Sequence, residues 1–71
     1  MSNNLIEAKA ALCGCRCKSQ VMAVVEAFCD KCRFSYSVDL SLADNAIIAS
    51  RQCKAKVSEV LMFADKQMGR M

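Results

Sequence analysis

Six cysteines and no histidine in 71 residues constrain this chain more than any other feature of its sequence. A domain this short buries only roughly 60% of the surface its unfolded form exposes, so it usually needs a staple. Cysteines offer disulfides or metal thiolates, and the redox compartment selects between them. The opening residues place Glu7 and Lys9 inside their apolar stretch, so no signal peptide is read and a cytoplasmic chain with reduced cysteines is expected. A secreted, disulfide-stapled peptide is the reading this disfavours. The lack of histidine removes the commonest general base and any zinc site mixing imidazole with thiolate, leaving all-cysteine coordination. No enzyme is expected.

The cysteines fall into two groups. Cys29-Asp30-Lys31-Cys32 has the two-residue spacing that lets a tight turn aim both sulfurs at one ion while its backbone N–H groups support them. Cys13, Cys15 and Cys17 surround Gly14 eleven residues upstream, a separation that suits a strand and a return. The expected site is one structural zinc held by Cys13, Cys17, Cys29 and Cys32, with Cys15 as an alternative ligand. A closed four-thiolate shell leaves no open position for substrate, so such a metal supports folding. The Cys-x-Cys-x-Cys run also suits Cu(I) or an iron–sulfur cluster, as a metal buffer or chaperone.

Patterning supplies the rest of the expected architecture. Residues 1–12 read as a short helix, with Ser2, Asn3 and Asn4 as caps and Leu5, Ile6, Ala8, Ala11 and Leu12 at broadly helical spacing. Residues 13–40 read as a cysteine-clamped hairpin. In its second half Phe34, Tyr36, Val38 and Leu40 alternate with Ser35, Ser37, Asp39 and Ser41, the period of a half-buried strand. The apolar, β-branched run from Gln20 to Phe28 fits strand or helix alike, and the need of a strand for a partner reads it as the first strand. Residues 41–68 begin with a capping-box-like Ser41-Leu42-Ala43-Asp44 and contain no Gly or Pro, which reads as one long helix stopped by Gly69. A helix of about 25 residues is about 38 Å long, more than a small ribbon covers, so it folds back on the first helix or forms a homodimer seam. Cys53 is expected as a small buried hydrophobe on its apolar side.

The expected fold is therefore α+β, a single zinc-ribbon domain. The order Leu12-Cys13 to Cys17-Lys18-Ser19, strand, Phe28-Cys29-Asp30-Lys31-Cys32, alternating strand, then Leu42-Ala43-Asp44-Asn45-Ala46-Ile47-Ile48-Ala49-Ser50-Arg51 resembles the short phage-encoded zinc-ribbon proteins of the Lar, or restriction-alleviation, type over residues 12–52. Lys18 and Arg33 stand where each knuckle of that family carries glycine. The resemblance implies a structural-zinc adaptor or inhibitor that binds a host protein and modulates restriction. Beside it stands a nucleic-acid-binding reading, with Arg16, Lys18, Lys31 and Arg33 on phosphates and a formal charge of +3 in support. No apolar run is long enough to span a bilayer, so no membrane partner is expected.

Overall fold

The structure, a computed structural model, describes residues 4–71. These form helices α1 (Asn4–Cys13), α2 (Lys18–Lys31), α3 (Leu42–Arg51) and α4 (Ala55–Gly69). Among the described residues there is no β-strand, which overturns the expected α+β zinc ribbon and its hairpin. Ser2 and Asn3, read as caps, lie outside the described residues.

The run expected as a first strand is the middle of α2. Val21, Val25, Phe28 and Cys29 are its buried positions, a stripe at spacings of four, three and one that follows the helical period. Met22, Val24 and Cys32 pack beside the stripe. Once this segment is helical, the alternating residues after it have no strand to pair with. Phe34 is buried and Tyr36 partly so, but Val38 is 78% exposed and Leu40 39% exposed, so the period of two stops carrying information after Tyr36.

The single long helix expected over residues 41–68 is two helices. The Ser41 hydroxyl accepts from the Asp44 N–H at 3.1 Å and starts α3, as the capping-box pattern predicts. The break falls at Cys53, whose φ of 60° puts it in the left-handed region. There Lys54 N–H donates to Ala49 O (2.8 Å) and Cys53 N–H to Ser50 O (3.2 Å), the paired bonds of a Schellman ending. The turn lays Leu42, Ala46 and Ala49 against Val57, Val60, Leu61 and Ala64, all buried. Cys53, expected inside, is exposed because it makes the turn.

Helix α4 is the hub: α1, α2 and α3 all pack on it, α1 also pairs with α2, and α3 reaches only α4. Val57, Val60, Leu61 and Ala64 are at most 1% exposed, and each fully buried Val or Leu contributes about 1.5–3 kcal/mol. The apolar stripe, expected to fold back on the first helix or to form a seam between two copies, packs against α1, α2 and α3 within one chain. Lys9 of α1 ties the outer edge to α4, its ammonium 2.6 Å from Glu59 Oε1 and 5.7 Å from the Phe63 ring centre. No helix among the described residues is long and apolar enough to cross a membrane.

Candidate functional site

Helix α2 decides what the cysteines can do, because it stands between the two groups. Cys17 is its N-cap, Cys29 lies in its last turn and Cys32 is its C-cap. Twelve residues of α-helix from Cys17 to Cys29 advance about 18 Å, whereas two sulfurs on one zinc lie within about 4 Å of each other. Cys13 ends α1 on the same side as Cys17. The expected ligand set Cys13, Cys17, Cys29 and Cys32 therefore does not fit one tetrahedral ion in this fold, and exchanging Cys15 for Cys17 leaves the gap unchanged. No three Cys, Asp or Glu side chains among the described residues are grouped so as to hold a metal.

The two ends of α2 give their thiols opposite characters. Cys29 is 1% exposed, and burial, then the neighbouring Cys32, Asp30 and Glu26, pushes its pKa from 9.0 up to about 11. It is a neutral core side chain. Its carbonyl accepts from the Phe34 N–H at 2.9 Å while the Arg33 N–H donates to Asp30 O at 3.1 Å, so the Cys-Asp-Lys-Cys run forms the Schellman ending of α2. Arg33 has φ 54°, the left-handed position of that helix end.

At the other end Cys13 and Cys17 are exposed and Cys15 is half-buried. The Cys15 thiol donates to Ala11 O at 3.2 Å. Cys17 Sγ lies 3.1 Å from the Ser19 hydroxyl, which, followed by the backbone N–H of Gln20, holds the Cys17 pKa below the usual thiol range. Gln20 Oε1 accepts from the Arg16 N–H at 2.7 Å and braces the turn.

The cations expected to act together are also divided. Lys18 begins α2 and Lys31 ends it, about 20 Å apart along the axis, so Arg16 and Lys18 form one pair and Lys31 and Arg33 another. The second pair has company that sequence reasoning missed. Lys54 Nζ donates to the Cys32 carbonyl at 3.3 Å, bringing the α3–α4 turn against the end of α2. Lys54 thereby joins Lys31 and Arg33 at this end of the bundle, with Arg51 and Lys56 flanking it in the same turn, and all but the half-buried Lys54 are exposed. The signal was the dense basic spacing Arg51, Lys54, Lys56, masked by reading the segment as helix interior.

Between α1 and α2 a groove of about 280 Å³ is floored by Ala8, Ala11, Val24, Ala27 and Phe28, with Glu7 and Lys31 at its rim. It is apolar and open and holds no cluster of reactive groups. No protein-family model, characterised protein or solved structure matches the chain.

Proposed function

We propose that the chain is a non-catalytic binding module for an anionic macromolecule, a nucleic acid, held at the basic end formed by Lys31, Arg33, Arg51, Lys54 and Lys56. The observation that carries this reading is the contact of Lys54 with the Cys32 carbonyl, because it brings the basic stretch 51–56 against the end of α2 that carries Lys31 and Arg33. Lys54 and Lys56 also lie at the start of α4, where the helix dipole is already positive, an arrangement that costs stability unless an anion answers it. Phosphates along a nucleic-acid backbone are spaced closely enough for neighbouring cations to contact several at once.

The test is fluorescence anisotropy of a labelled random-sequence DNA duplex titrated with the protein between 50 and 200 mM salt. Engagement of about four phosphates gives log K falling with log salt at a slope of about −4. The paired substitution Lys31→Gln with Arg33→Gln weakens binding and flattens the slope, whereas Arg16→Gln with Lys18→Gln at the far end leaves both unchanged. Equal effects from the two pairs, or binding insensitive to salt, sink the assignment; the latter would point to the protein partner expected from the sequence.

A further inference from the structure

We propose that the Cys13-Gly14-Cys15-Arg16-Cys17 turn is a thiol–disulfide exchange site, in which Cys17 attacks a small-molecule disulfide and Cys15 resolves the product. The site is independent of the basic end, which lies at the opposite end of α2.

The geometry separates this cluster from the other cysteines. Cys29 is enclosed in the core and out of reach, while Cys13 ends α1 and Cys15 and Cys17 lie in the short connection to α2, with Cys17 exposed. The core beneath is closed by Leu12 and Val21, both 0% exposed, and of the three cysteines only the half-buried Cys15 packs against it. Packing accounts for Cys15 but not for the exposed thiols of Cys13 and Cys17. Cys17 is the N-cap of a helix of 14 residues and makes no side-chain capping bond, and its sulfur lies beside the positive end of the dipole. The Ser19 hydroxyl 3.1 Å away and the flanking Arg16 and Lys18 add to an environment that favours a sulfur anion, the attacking species in exchange.

The resolving thiol follows from chain geometry. Two peptide steps keep the Cα atoms of Cys15 and Cys17 within about 7 Å, which brings them into the range a disulfide spans without unfolding either helix. Cys13 is fixed as the last residue of α1. Cys15 gives up its bond to the Ala11 carbonyl and part of its packing on the core when it turns.

The exchange balances in two steps. Cys17 S⁻ attacks one sulfur of RS–SR, forming a Cys17–SR bond as the RS–SR bond breaks and RS⁻ leaves. Cys15 then loses its proton to solvent or to RS⁻, and its sulfur attacks Cys17 Sγ. The Cys15–Cys17 bond forms and the second RS⁻ departs. Two protein thiols are oxidised, and one small disulfide is reduced to two thiols.

The experiment is timed reaction of the reduced full-length chain with glutathione disulfide, quenched with acid and mapped by peptide mass spectrometry. The expected first adduct is on Cys17, several-fold faster than on Cys53, the exposed comparison thiol, and it is replaced by a Cys15–Cys17 bridge with two glutathiones released. Cys15→Ser accumulates the mixed disulfide on Cys17. Ser19→Ala slows the Cys17 adduct and leaves the Cys53 rate unchanged, with far-UV circular dichroism confirming that the helices persist. A first adduct on Cys13 or Cys53, a final bridge that omits Cys15 or Cys17, or an unchanged fast phase in Cys17→Ser overturns the proposal.

Discussion

Asn45 and Ser37 exchange two hydrogen bonds: the Ser37 N–H donates to Asn45 Oδ1 at 3.0 Å, and Asn45 Nδ2 donates to the Ser37 carbonyl at 3.0 Å. The same amide nitrogen reaches the carbonyls of Leu40 (3.3 Å) and Ser41 (3.0 Å). Asn45 is 0% exposed, and its side chain stands where a neighbouring strand would otherwise satisfy the 35–41 segment. Asn45→Ala strips these partners while leaving them sheltered, and is expected to cost about 3 kcal/mol. Asn45→Asp is expected to be at least as damaging at neutral pH, because a carboxylate cannot donate to any of the three carbonyls. Urea midpoints of the two variants check this. A midpoint unchanged in Asn45→Ala would mean that Phe34 and Tyr36 hold the segment alone.

The two left-handed residues that end α2 and α3 give a prediction of opposite sign. Arg33 (φ 54°) and Cys53 (φ 60°) occupy positions that glycine adopts without the Cβ penalty. Arg33→Gly and Cys53→Gly are each expected to stabilise by about 0.5–1 kcal/mol after the entropy of a freer unfolded chain is deducted. In a domain of this size about 1 kcal/mol raises Tm by roughly 4–8 °C. Their effects should add, since they lie in separate turns. Calorimetry of the single and double variants is the measurement, and a loss of stability in both would show that the Schellman endings do not limit the fold.

How much of this was legible beforehand depends on which interaction each residue answers to. The Ser41 cap is local, with donor and acceptor three residues apart, and the sequence pattern finds it. The α2 stripe was also present, at Val21, Val25, Phe28 and Cys29, but the β-branched content and an apparent strand downstream outweighed it. That strand was the error from which the rest followed: alternation from Phe34 to Leu40 arises by accident once Val38 faces solvent. Cysteine spacing then misled for the same reason. Cys29 and Cys32 at spacing three are neighbours on a helix as readily as on a metal turn, and only the element between Cys17 and Cys29 tells the two apart. The fold-back at Cys53 had no Gly or Pro to announce it. Its trace is the polar stretch Ser50-Arg51-Gln52 and Lys54 across what should have been a continuous apolar face. The grouping of Lys31 and Arg33 with Lys54 is a tertiary fact with no local signal.

Cys29 should leave an alkaline signature. Its pKa is raised from 9.0 to about 11, chiefly by burial and then by Cys32, Asp30 and Glu26. The unfolded thiol loses its proton near pH 9, while the folded one keeps it until about 11, so between these values the unfolded state binds fewer protons. Stability contributed by the buried thiol is therefore complete below pH 9 and lost as pH rises toward 11. Tyr36, also raised by burial, acts in the same direction. Urea midpoints at pH 8 and pH 10.5 should fall more in the parent chain than in Cys29→Ala, compared within a Tyr36→Phe background. An equal fall in both would assign the alkaline loss to other groups.

Metal removal separates this helical fold from the ribbon expected from cysteine spacing. In a ribbon the binding free energy of the zinc is the folding free energy, so a chelator unfolds the chain. Here the core is built from Leu12, Val21, Val25, Val57, Val60 and Leu61, each at most 1% exposed, and it closes around α4 without a shared ion. The candidate thiolates lie on opposite ends of α2, so a metal captured by the Cys13 to Cys17 turn cannot cross-link it to Cys32. Far-UV circular dichroism of the reduced protein should keep its helical minima when excess EDTA is added, with Tm unchanged. Equilibrium dialysis against Zn²⁺ should give no site that raises Tm by the amount expected of a structural metal. Collapse of the helical signal on chelation, reversed by stoichiometric zinc, would show that Cys17 and Cys29 approach each other, which a continuous α2 forbids.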